Sequence, residues 1–134
     1  MTAGYSVTPL AAKLSLKDGM RVWADGMPDR VASEIRSTAD VTFAEAPEAP
    51  VGAAHIFVTE REQLETKLRQ LVSILEPSGF IWVSWPKKSA KVKTDIIEDT
   101  IREVALPLGL VDVKVCAVDD TWSGLKLVIR KEKR

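Results

Sequence analysis

The stretch Phe80–Pro86, reading Phe-Ile-Trp-Val-Ser-Trp-Pro, restricts what this chain can fold into more than any other. Only Ser84 interrupts its bulky and β-branched side chains before the proline. Alternate side chains of a strand point to opposite faces, so Phe80 and Trp82 face one way and Ile81, Val83 and Trp85 the other. A strand apolar on both faces belongs inside a largely parallel sheet with helices on each side. Pro86 ends the ladder and delivers Lys87 and Lys88 to the carboxyl edge, where open α/β sheets bind ligands.

The elements around this strand follow from spacing and punctuation. Thr8 reads as an N-cap with Pro9 at the first helical position, opening a short helix whose Leu10 and Leu14 share a face. After the turn Lys17-Asp18-Gly19, Met20–Ala24 reads as the first strand, closing in Asp25-Gly26. Pro28 opens a second helix with Val31 and Ile35 inward, and Val41–Ala44 is a weak strand. Glu45–Gly52, with Pro47 and Pro50, reads as a loop.

A strand–helix–strand unit follows. Ala53–Val58 is a strand, and Thr59-Glu60-Arg61-Glu62 has the form of a capping box. Leu64, Leu68, Leu71, Val72 and Leu75 fall at helical spacing, and Pro77 and Gly79 end that helix. A right-handed crossover then makes Ala53–Val58 and Phe80–Trp85 parallel neighbours. Asp95 and Glu98 signal a further helix carrying Ile97, Ile101, Val104 and Ala105 inward. Leu110–Val118, a polar turn over Asp119–Gly124 and Leu125–Ile129 form an antiparallel hairpin. The order of elements places Phe80–Trp85 between Ala53–Val58 and Leu125–Ile129. The first strand and then Val41–Ala44 lie beyond Ala53–Val58, and Leu110–Val118 forms the opposite edge. Only Leu125–Ile129 runs against the rest.

Composition narrows the function classes. The 134 residues fit one α/β domain over positions 1–134. Nineteen basic and nineteen acidic residues cancel, favouring neither nucleic acid nor an anionic membrane as a partner. No apolar run reaches the ~18 residues of a spanning helix, and Met1–Ala12 lacks the basic start of a secretory signal. A single cysteine, Cys116, forms no intrachain disulfide, which suits a cytoplasmic setting. Its position in the apolar run Val113–Val118 predicts an inert core thiol.

The second half resembles that of class I S-adenosylmethionine-dependent methyltransferases. Leu75-Glu76-Pro77-Ser78-Gly79 before Phe80–Trp85 is similar to the family's helix-ending turn and central strand. Leu108-Gly109-Leu110 and Trp122 resemble its closing hairpin. The resemblance implies a three-layer, Rossmann-like fold, here a reduced methyltransferase-like, mostly parallel sheet with a C-terminal antiparallel hairpin. The first half departs from the family. Its cofactor turn carries Gly-x-Gly, so that backbone passes close to the ligand, whereas this chain has Asp25-Gly26-Met27-Pro28. The family's ribose-binding acid falls at Glu45, in a loop rich in alanine and proline. S-adenosylmethionine is therefore a possible cofactor whose glycine motif is missing.

Thr8-Pro9-Leu10, Gly19-Met20-Arg21-Val22, Ser84-Trp85-Pro86-Lys87-Lys88 and Asp119–Lys126 resemble the hallmarks of a family of small bacterial proteins with no established activity. They span nearly the whole chain and imply kinship without mechanism.

Candidate sites follow from the sheet edge. Lys87, Lys88, Lys91 and Lys93 can hold a phosphate or carboxylate as point charges, or simply solvate a loop. Asp25 and Gly26 are expected at the same edge, framing a crevice with the lysines and with Trp85. Thr59 and Glu60 stand where methyltransferases place substrate-contacting residues, and a capping role also accounts for them. His55, without a second histidine, reads as a buried, hydrogen-bonded or edge histidine and not a metal or proton-transfer group. Asp119 and Asp120 suit a turn, or a cation. No phosphate loop, G-x-S-x-G motif or metal-ligand spacing is present. Two readings remain: a non-enzymatic binding or interaction module taking a small anionic ligand or a protein partner, and a small methyltransferase-like enzyme.

Overall fold

The computed structural model describes residues 8–134. Six strands form one sheet: β1 (Arg21–Asp25), β2 (Thr42–Ala44), β3 (Val51–Phe57), β4 (Leu75–Pro86), β5 (Leu110–Ala117) and β6 (Trp122–Ile129). Their order is β2-β1-β3-β4-β6-β5. β2, β1, β3 and β4 run parallel, and β6 pairs antiparallel with both β4 and β5. Order and directions are those the sequence predicts.

Helices α1 (Leu10–Lys13) and α2 (Asp29–Arg36) cover one face, and α3 (Arg61–Val72) and α4 (Glu98–Ala105) the other. The double-faced strand divides its side chains accordingly. Trp82 packs with Leu10, Leu14, Val31 and Ile35, while Ile81, Val83 and Trp85 pack with Leu64, Leu68, Ile101 and Val104. Trp82 and Trp85 are both buried, at 1% and 7% exposure. Each sits under a different helix layer.

The first layer is also fixed by polar bonds. The α1 helix ends with carbonyl groups that no later helical N–H can satisfy. Trp82 Nε1 donates to Leu14 O at 2.9 Å, and Lys114 Nζ to Lys13 O at 3.1 Å. Lys126 Nζ donates to Ser15 Oγ at 3.0 Å and lies 4.6 Å from the centre of the Phe80 ring. Three strands thus hold one short helix end.

Several boundaries differ from expectation. The α1 N-cap is Pro9 and not Thr8. The α3 capping box is shifted by one residue, with Glu60 as N-cap and Gln63 at N3, in place of Thr59 and Glu62. Leu75 does not extend the helical stripe of α3 but opens β4 opposite Val51. The ladder then slips, and Ala53 next pairs with Phe80. Glu76–Gly79 is the excess strand at that irregularity, so Pro77 needs no ladder partner. Gly79 fits because backbone crowds it there, with an added Cβ only 3.0 Å from Val51 O. At the hairpin, β6 begins at Trp122, shortening the expected Asp119–Gly124 turn.

Two burial expectations also change. Ile97 is 53% exposed and its neighbour Ile96 is buried, because α4 starts at Glu98 and Ile97 occupies the N-cap. Asp95 serves the other helix, accepting a 2.7 Å bond from the Arg61 N–H. Cys116 is half-buried and not a core thiol, because β5 is an edge strand with Val113 and Val115 exposed. Burial pushes its thiol up, against the opposing charges of Lys13 and Lys114. Among the described residues, no helix is long and apolar enough to cross a membrane.

Candidate functional site

At the carboxyl end of β4 the Lys87 N–H bonds to Thr121 O at 2.8 Å, tying the departing chain to the hairpin tip. Lys88–Ala90 make one turn of 3-10 helix, and Lys91 takes a left-handed conformation with φ 56°. The chain is fastened again where it returns. Thr94 Oγ1 donates to Thr59 O at 2.6 Å and accepts from the Ile96 N–H at 3.1 Å. The loop is thus pinned at both ends, to the tip of β6 and to the end of β3.

Between the end of β4 and the start of α4 lies a cavity of about 670 Å³. Trp85, Pro86 and Ile96 supply buried apolar lining, and Val92 and Ile97 add apolar side chains that are 41% and 53% exposed. Lys87 and Lys88 form a basic wall, and Glu98 and Asp99 an acidic one. The two walls are not equivalent. Arg102 bonds Glu98 through Nη2, Asp99 through Nη1 at 2.8 Å and Asp112 through Nε at 3.0 Å. These carboxylates, Glu98 first, raise the guanidinium pKa. Among the described residues no carboxylate pairs with Lys87, Lys88, Lys91 or Lys93. The acids are hydrogen-bonded to one shared guanidinium, and among the described residues the lysines carry no ion pair.

The structure brings Trp85, Lys87 and Lys88 to this cavity but not the other sequence-predicted candidates. Asp25 forms an ion pair with Lys67 of α3, Nζ to Oδ2 at 3.1 Å. Gly26 has φ +76°, and an added Cβ would stand 3.2 Å from Phe57 O, so a close turn against β3 accounts for the glycine. Thr59 holds the returning loop through its carbonyl, and its N–H donates to Gln63 Oε1 at 3.2 Å. Glu60 caps α3 and borders a separate cleft with Lys67. Thr94, Ile97 and Arg102 are the contributors that sequence reasoning missed. The adjacent pair Ile96-Ile97 carried a signal, since a chain entering a helix rarely buries two consecutive side chains.

Beside this site the hairpin tip is latched to α2. Asp119 Oδ1 accepts from the Thr121 and Trp122 N–H groups at 2.8 Å each, the turn that aspartate favours. Arg30 reaches across from α2, Nε to Asp119 Oδ2 at 2.8 Å and Nη2 to Thr121 Oγ1 at 3.1 Å. Burial opposes ionisation of Asp119, but these bonds outweigh it and hold its carboxyl below the usual range. Trp122 packs edge-on against Phe57, centroids 5.0 Å apart. His55 is buried behind them, with Nε2 2.6 Å from Ser84 Oγ and its ring stacked on Phe57. Burial lowers its pKa to about 3, so it is neutral near pH 7. Among the described residues no group of three His, Cys, Asp or Glu side chains is placed to hold a metal ion.

A family model described as Protein of unknown function (DUF3052) matches residues 11–131. The chain belongs to this family. No curated protein sequence matches the chain. Solved structures similar to this DUF3052 member include several described as methyltransferases. One from Sulfolobus solfataricus, described as a type 11 methyltransferase, aligns with TM-score 0.60 and 13% identity over 91% of this chain and 90% of its own. Magnesium protoporphyrin IX methyltransferase from Synechocystis PCC 6803, a structure with bound SAM, aligns with TM-score 0.56 and 11% identity, covering 90% and 74%. The fibrillarin pre-rRNA processing protein of Methanococcus jannaschii gives 0.52 and 12%, covering 94% and 70%. At such identities the likeness establishes the fold: a methyltransferase-like mixed α/β sheet closed by an antiparallel hairpin.

Proposed function

We propose that this DUF3052 member is a non-enzymatic binding module that takes an anionic ligand at the carboxyl edge of its sheet. The site is the cavity between the end of β4 and the start of α4. The observation that carries this reading is the charge arrangement there. Glu98 and Asp99 are bonded to Arg102, while among the described residues Lys87 and Lys88 of the same lining have no carboxylate partner. Lysines in that position attract a phosphate or carboxylate without the fixed fork of an arginine.

The chain's own residues also argue against methyl transfer at the first strand. The single glycine of Asp25-Gly26-Met27-Pro28 is used for packing against Phe57, and Asp25 is held by Lys67. The experiment is a thermal-shift panel of S-adenosylmethionine, S-adenosylhomocysteine, nucleotides, inorganic phosphate and simple carboxylates. A ligand at 100 times its dissociation constant stabilises by about 2.7 kcal/mol. The reading predicts shifts with anions that vanish in Lys87→Ala/Lys88→Ala. A shift with the adenosyl compounds that survives this double replacement contradicts it.

A further inference from the structure

We infer that the ligand of this cavity is a small amphiphilic anion, with its charged group at Lys87 and Lys88 and an apolar chain or ring along Trp85, Ile96 and Ile97. The inference rests on the binding reading above and adds the part of the ligand that the lysines do not hold.

Three observations carry it. The volume, about 670 Å³, lies within the range of sites that enclose small molecules and exceeds what a bare phosphate fills. Between the basic and acidic walls the lining is largely apolar, with Trp85 and Ile96 at 7% and 2% exposure forming its depth. Ile97 and Val92 then leave large apolar surface in water at the same cavity. Exposed apolar side chains are ordinary when scattered, but these two border a single concave site. A purely ionic ligand leaves that surface wet, whereas an amphiphile removes it from water while its head keeps the lysines solvated or paired.

The acidic wall sharpens the choice. Glu98 and Asp99 share the single charge of Arg102 with Asp112, so that wall stays net negative and repels a second anionic group. The site favours one anionic end, held at the lysines, and a neutral body.

The test is calorimetric titration with unbranched carboxylates from acetate to octanoate, with inorganic phosphate alongside, at low and high salt. Each methylene buried should tighten binding about fourfold until the cavity is filled. Lys87→Ala/Lys88→Ala should weaken every carboxylate and abolish the salt dependence. Ile97→Asp, at an exposed position that spares the core, should flatten the dependence on chain length. Phosphate and all carboxylates binding equally overturns the amphiphile and leaves the anion site standing. No binding by any member, phosphate included, overturns both. A chain-length effect untouched by either variant puts the carboxylates elsewhere and overturns the inference. So does binding confined to a capped Asp/Leu peptide, which makes the occupant a protein segment.

Discussion

The indole Nε1 of Trp82 donates to the carbonyl oxygen of Leu14 at 2.9 Å, joining residues 68 positions apart in the chain. Trp82 is 1% exposed and Leu14 wholly buried, so water replaces neither partner. The bond fixes α1 against the centre of the sheet. Trp82→Phe keeps most of the packing but strands the Leu14 carbonyl, a loss of about 1–3 kcal/mol. Trp82→Ala adds a cavity and should cost about 3–5 kcal/mol. Chemical denaturation of the two variants separates the terms. An unchanged stability in Trp82→Phe would mean that the bond contributes nothing.

Gly124 lies directly beneath that ring. An added Cβ would stand 3.1 Å from Val118 Cγ2 and 3.2 Å from Trp82 Cε3. Gly124→Ala should therefore overpack the layer, costing about 1–3 kcal/mol. In Trp82→Phe the smaller ring leaves room, so the same substitution should cost less. A double-mutant cycle with strictly additive losses would contradict the contact.

His55 predicts an acid-side dependence of stability. Its folded pKa is lowered to about 3 by burial, while the unfolded value is near 6.5. Between these values the unfolded chain binds the proton and the folded chain does not. Stability therefore falls as pH drops from about 6.5 towards 3, by up to about 1.4 kcal/mol per pH unit from this group. His55→Leu should flatten the slope between pH 4 and 6.5 relative to the parent. Parallel slopes in the two proteins would show that His55 accepts a proton while folded.

The Arg30 latch should be local in effect. Arg30 is 62% exposed, and such ion pairs contribute about 0–1 kcal/mol. Arg30→Ala should leave global stability nearly unchanged while hydrogen exchange quickens at Thr121, Trp122 and Lys87. The Lys87 amide responds because it bonds to Thr121 O, so the latch and the ligand site share one strand end. Faster exchange at α3 instead would indicate general loosening.

Most of the fold was legible because it follows from one periodicity. Phe80–Trp85 is apolar at both phases of a two-residue repeat, and that places it centrally with helices above and below. Strand order then follows from the order of elements along the chain. What misled were residues whose local signal belonged to another element. Pro77 and Gly79 read as a helix stop but lie in the irregular start of β4. Thr59-Glu60-Arg61-Glu62 fits a capping box in one frame, while Gln63 supplies the better one a residue later. Asp95 looked like the start of α4 and instead meets α3 through a contact 34 positions away in sequence.

The candidate site was legible by half. Pro86 as a strand stop announced Lys87 and Lys88 at the sheet edge, and Trp85 below them. The opposite wall depended on where α4 returns, which no local pattern encodes. Pairing these lysines with Asp25 and Gly26 assumed an open crevice between strand ends. Lys67, 42 positions away in sequence on α3, was not a visible partner for Asp25.

Arg102 is the residue through which the charge of the cavity is set. Arg102→Gln should free Glu98 and Asp99 and weaken anion binding several-fold, with a smaller effect at high salt. Calorimetry with octanoate on parent and variant measures it. Unchanged affinity would mean that the acidic wall does not oppose the ligand.

The most direct measurement is an amide chemical-shift titration of isotope-labelled protein, run once with octanoate and once with S-adenosylmethionine. The predicted result is saturable shifts with octanoate at Trp85, Lys87 and Lys88 and across Thr94–Asp99, and none with S-adenosylmethionine. Saturable shifts with S-adenosylmethionine centred on Asp25, Gly26 and Glu45, with the lysine loop unmoved by octanoate, would contradict the account.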